Sequence, residues 1–105
     1  IGIDIEKNQP KILNMSHKFL NSREKIFITK KSISQITYIW TAKEAVYKAF
    51  KVNGIKFSEQ IVIDPFDENS TESIARIFYN NEVFKFHLFF FKINNYSCTV
   101  ALSLQ

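Results

Sequence analysis

One stretch, SISQITYIWTAKEAVYKAFK at residues 32–51, limits the folds open to this 105-residue chain. Ile36, Ile39, Trp40, Ala42, Val46, Tyr47 and Phe50 recur at steps of three and four, the spacing of a helix with one buried face. Ser32 or Ser34 can cap its start. Asn53-Gly54 is expected to close it, with Gly54 in the left-handed position after the last turn. Such a helix needs a second layer to cover its apolar stripe.

The flanking segments supply that layer as strands. Residues 1–6, IGIDIE, alternate: Ile1, Ile3 and Ile5 share one face, Gly2, Asp4 and Glu6 the other. The isoleucines are expected to hold this strand in the core. Pro10 breaks it, and Ile12, Leu13, Met15, Phe19 and Leu20 then follow a helical spacing. Asn21 and Ser22 read as a cap or turn, with Ser22 opening a second short helix. After the long helix, QIVIDPF is a strand that stops at Pro65, residues 73–93 form a hairpin around Asn80-Asn81, and YSCTVALSL is a last strand entered from Asn94-Asn95. This order predicts a single α+β domain over residues 1–105: an N-terminal strand, two or more helices, then an antiparallel sheet.

Composition agrees with a packed domain. Hydrophobic residues make up 46%, 11 of them Phe, with only 2 Gly and 2 Pro. The most apolar stretch, FKFHLFFFKI, is interrupted by Lys85, His87 and Lys92, so it reads as a strand and not as a membrane span of about 20 residues. The Phe84-to-Phe91 stripe with Lys85 and Lys92 can be read as a base-stacking platform. Its aromatics fall on both faces of the strand, which favours core or a subunit interface, and no nucleic-acid or membrane partner is expected. With one cysteine, Cys98, and no basic segment leading into an apolar run, the expected location is cytoplasmic.

The charge is uneven. Lys7, Lys11, Lys18, Arg23, Lys25, Lys30 and Lys31 face one acid, Glu24, between residues 7 and 31, whereas residues 59–72 hold Glu59, Asp64, Asp67, Glu68 and Glu72 and no base. Such blocks are either solvated faces or docking surfaces for a partner of opposite sign.

Two groups of residues can carry chemistry. Asp4 and Glu6 are two apart on a strand, so their carboxylates point the same way from Cα atoms about 6.8 Å apart. They form either a solvated edge or an oxygen-ligand pair for a hard cation such as Mg²⁺. On the helix, Trp40, Glu44 and Lys48 fall at i, i+4 and i+8 on one face, with Lys43 and Tyr47 in the next stripe. Glu44 and Lys48 make a common helix-stabilising pair, and they also bring a third carboxylate and a phosphate-neutralising ammonium. His17 and His87 have no metal-ligand spacing, and nothing near Cys98 would activate its thiol.

GIDIE at residues 2–6 and WTAKEAVYK at residues 40–48 together resemble the two-part signature of the 4′-phosphopantetheinyl transferase superfamily, G-[IV]-D-[IV] followed by [FW]-[ST]-x-K-E-[AS]-x-x-K. Glu6 is similar to the D-x-E form of the two-domain type. FLNSREKIF resembles an intervening element of the family, with Glu24 matching its acid, and YSCTVALS resembles the family's last core strand.

The resemblance implies transfer of 4′-phosphopantetheine from coenzyme A to a serine of an acyl or peptidyl carrier protein, releasing 3′,5′-ADP. It implies Asp4, Glu6 and Glu44 as Mg²⁺ ligands, Lys48 with Lys43 as helper at the coenzyme A phosphates, and Glu44 or a metal-bound water as acceptor of the serine proton. The basic region up to Lys31 would then meet an acidic carrier protein. The chain would correspond to the C-terminal half of the two-domain type, completed by self-association or a missing N-terminal half. The alternative is a non-catalytic half that binds coenzyme A or carrier protein without turnover.

Overall fold

The computed structural model describes residues 1–28 and 32–104. In chain order the elements are β1 (Gly2–Lys7), α1 (Ile12–Met15) running into a 3₁₀ turn (Ser16–Lys18), α2 (Ser22–Phe27), α3 (Ile33–Phe50), α4 (Phe57–Gln60), β2 (Ile61–Ile63), β3 (Glu72–Tyr79), β4 (Glu82–Ile93) and β5 (Tyr96–Ser103). The strands form one antiparallel sheet in the order β1-β5-β4-β3-β2. The α+β reading of the sequence holds.

Local chemistry sets the element ends. Ser32 accepts the Gln35 N–H and so caps α3. At the other end Lys51, at φ 59°, takes the left-handed position and returns its N–H to Tyr47. The sequence had placed Gly54 there; Gly54 has φ 81° but lies beyond, in the following turn. Asn80 and Asn81, at φ 53° and 60°, form the two-residue turn whose twist matches a β-hairpin. The first helical region is split: Asn21 caps α2 by accepting the Glu24 N–H, while Glu24 receives the Asn21 N–H in return.

α3 lies across one face of the sheet. Ile36, Ile39, Ala42 and Val46 pack on Ala75, Ile77, Phe86, Leu88 and Ala101, all fully buried or nearly so. Among the described residues, no layer covers the other sheet face. Ile3 and Ile5 are 52% and 49% exposed, and Phe91, Ile93, Tyr96 and Leu102 share that exposure. This overturns the expectation that the isoleucines of β1 face the core. Alternation showed which residues share a face; the helix settles which face is covered, and it covers Gly2 and Asp4.

Candidate active site

β1 meets α3 at unusually close range because residue 2 has no side chain. A β-carbon there would lie 1.9 Å from the carbonyl oxygen of Ala45. Asp4, next along the covered face, is therefore buried beneath the helix at 8% exposure. Thr41 and Thr99 fix the two elements at the same level. Their hydroxyls share a 2.8 Å hydrogen bond, and Thr99 is the register partner of Asp4. Sequence reasoning passed over this pair; only the strand register brings residue 99 beside residue 4.

Lys48 reaches from α3 to this strand. Its Nζ donates to Asp4 Oδ1 at 2.9 Å and to the Ile3 carbonyl at 3.1 Å. The hydrogen bond it donates to Asp4, more than Asp4's charge, holds the ammonium above its ordinary value against the opposing effect of burial. Asp4 Oδ2 is buried with no hydrogen-bond partner. Glu44 is half-buried, and burial pushes its carboxyl up, with the negative charges of Asp4 and Glu6 adding and Lys48 opposing. Asp4, Glu6, Glu44 and Lys48 thus act on one another electrostatically.

Carboxylate oxygens are what a hard divalent cation takes, and an unpartnered buried oxygen is costly unless positive charge meets it. Asp4 fits that requirement. Among the described residues, no three acidic, His or Cys side chains converge closely enough to form a finished metal cage.

Lys43 is not brought to this cluster. It is fully buried, with its Nζ 2.8 Å from Glu24 Oε1, 2.6 Å from the Phe19 carbonyl and 2.8 Å from the Phe57 carbonyl. An ammonium has three N–H donors, and these contacts use all of them. Its burial lowers the ammonium's pKa, with Glu24 opposing.

Beside the acids, Glu6, Lys7, Gln9, Lys11, Met15 and Trp40 line a cleft of about 250 Å³. Trp40 is half-buried there, its ring held by Phe19 and Phe57 at centroid distances of 5.1 and 5.7 Å. A roomier cavity of about 440 Å³ lies elsewhere, between α1, α2 and α3, and none of its lining residues is acidic. The exposed Lys7 and Lys11 line the cleft beside the acids, and Lys18, Arg23 and Lys25 are exposed along the α1–α2 segment. Lys30 and Lys31 lie outside the described residues. Glu24, the one acid of that stretch, is buried, so it subtracts nothing from the surface charge.

Three other residues stay apart. His17 is exposed, and His87 pairs with Glu72 at 2.6 Å and stacks on Phe89 on the uncovered sheet face. Cys98 is buried, and burial pushes its thiol up, with the charge of Asp4 adding. That is the opposite of an activated thiolate. No helix among the described residues is long and apolar enough to cross a membrane.

No curated protein and no solved structure matches the chain. A protein-family model does, and it runs from the first residue of β1's approach through the middle of β5, residues 1–101. With that match spanning both motif segments and the sheet that carries them, the chain belongs to the 4′-phosphopantetheinyl transferase superfamily.

Proposed function

We propose that this chain supplies the acidic half of a Mg²⁺-dependent site that moves 4′-phosphopantetheine from coenzyme A to a carrier-protein serine. The observation that carries the reading is Asp4: a buried carboxylate, one oxygen held by Lys48 and the other without a partner, beside Glu44. Asp4 would anchor the ion, with Glu6 and Glu44 completing its acidic side. A bound divalent ion would neutralise the diphosphate and hold it in line for attack.

The chain's own residues do the rest. Lys48, half exposed at the rim, neutralises the departing phosphate. Glu44, its carboxyl held above the ordinary range, is suited to accept the serine proton as Oγ bonds to the β-phosphorus and the bond to 3′,5′-ADP breaks. The exposed cations from Lys7 to Lys25 steer an acidic carrier protein to the cleft.

The test is intact-mass analysis of an apo carrier protein incubated with coenzyme A, Mg²⁺ and the chain. One added phosphopantetheine is expected, and Asp4→Ala and Glu44→Ala should abolish it while leaving the fold. Full activity in both variants would reject the assignment.

The uncovered sheet face favours a second reading alongside the first. The chain would bind coenzyme A or carrier protein and turn over only when a second copy or a second half covers that face. Calorimetry showing ligand binding without product, reversed by supplying such a half, would support it.

A further inference from the structure

We infer that the buried Glu24–Lys43 pair is a clamp that sets the basic α1–α2 segment against α3, making Lys43 a positioning residue for carrier-protein docking and not a phosphate ligand. This rests on the function proposed above.

The geometry is unusually complete. Both side chains are 0% exposed. Lys43 holds Glu24, the end of the 3₁₀ turn through the Phe19 carbonyl, and the start of α4 through the Phe57 carbonyl. Glu24 holds the start of α2 through the Asn21 N–H and the edge of the sheet through the Ile63 N–H, at 2.8 Å. One pair of charges therefore ties α3 to α2, α4 and β2 together. Lys43 directly precedes Glu44, so the seat of the docking segment and the seat of the acidic cluster share one helical turn.

Stability alone does not account for such a pair. Two buried charges cost much of what their attraction returns, and well-packed apolar residues in their place are often as stable or more so. What apolar residues lack is direction. A lysine with three fixed acceptors and a carboxylate with three fixed donors accept a single placement of the chain around them. Without that placement, Lys11, Lys18, Arg23 and Lys25 keep their charge and lose their position relative to Glu44.

The test uses the full chain with the shape-conserving neutral double variant Glu24→Gln/Lys43→Met. It is expected to melt near the wild-type temperature and to show faster amide exchange over residues 12–27, with 36–46 unchanged. Its KM for apo carrier protein should rise at least about tenfold, a modest share of what a misplacement of about 1 Å can cost, with the KM for coenzyme A and kcat near wild type. A double variant with wild-type exchange and wild-type KM for the carrier overturns the inference, as does an equal loss for both substrates. Should that variant not fold, Lys43→Arg, which keeps the charge and changes the reach, is read by the same ratio of KM values. If the wild-type chain transfers nothing and binds neither coenzyme A nor apo carrier protein, the functional reading fails, and exchange over residues 12–27 decides the clamp by itself.

Discussion

Gly2 touches α3 backbone to backbone: its missing β-carbon would stand 1.9 Å from the Ala45 oxygen. Backbone cannot step aside as a flexible side chain can, so a methyl group here must push strand and helix apart. Gly2→Ala should cost at least the roughly 1–3 kcal/mol typical of overpacking. For a domain of this size that lowers the melting temperature by about 4–8 °C per kcal/mol. Transfer should fall further than stability, because Asp4 is on the strand while Glu44 and Lys48 are on the helix. Thermal unfolding by circular dichroism checks the first effect, and an unchanged melting temperature would disprove the close packing.

The acid cluster should leave a mark on stability against pH. Glu44's carboxyl is raised by burial and then by Asp4, with Lys48 opposing and Glu6 adding a smaller rise. Between its unfolded value, about 4.3, and its higher folded value, the folded chain binds more protons than the unfolded chain. Stability attributable to this group is therefore present at low pH and lost as pH rises through that window. Glu44→Gln should be at least as stable as wild type at pH 7, with the difference vanishing in acid, and should have lost transfer. Mg²⁺ should raise the wild-type melting temperature more at pH 7 than in acid, and raise that of Glu44→Gln less. Denaturant melts across pH, with and without Mg²⁺, measure this; a wild type that gains stability relative to Glu44→Gln on going from acid to pH 7 contradicts it.

The sequence disclosed the elements better than their faces. Period-two and period-3.6 patterns located β1, α3 and the hairpins because each pattern is a property of the local chain. Whether the isoleucines or the acids of β1 were covered was settled by Gly2, whose bare backbone draws α3 onto the acid side. Lys43 was misplaced for a related reason. On the helix it stands beside Glu44, but its partner Glu24 is 19 positions earlier, and only the cap at Asn21 turns that carboxylate inward. Asp4 and Lys48 were singled out separately, one as an acid on a strand and one as a cation on a helix; that they pair with each other follows only from the contact of β1 with α3.

Charge reversal on the docking segment should separate the two substrates. Lys11 and Lys25 are exposed, and neither takes part in the buried clamp. Lys11→Glu or Lys25→Glu should leave the melting temperature within about 0.5 kcal/mol of wild type in stability terms, as for most surface changes. Encounter with an acidic carrier protein should slow by several-fold at low salt, and the deficit should shrink as salt screens it over a Debye length of about 10 Å at 0.1 M. Initial rates at two ionic strengths with saturating coenzyme A give the answer; a deficit that is independent of salt argues against steering.

The uncovered face of the sheet makes the last prediction. Ile3, Ile5, Phe91, Ile93 and Leu102 lie exposed on β1, β5 and β4, strands adjacent in the sheet, and so form a continuous apolar surface. Contiguous apolar surfaces of this kind mark interfaces on soluble domains. The same strand that presents Ile3 and Ile5 outward carries Asp4 on its other face, so a partner that covers the isoleucines fixes the strand on which the acid cluster is built. The isolated chain should therefore associate with itself at micromolar to millimolar concentration, as seen by sedimentation velocity. Phe91→Lys should shift it to monomer with little change in unfolding free energy, since the ring is 49% exposed and loses little burial. Its transfer activity should fall with the loss of association, although residue 91 is two strands away from Asp4. A wild-type chain that stays monomeric throughout that range, and is active as such, would show that the site is complete without a covering partner.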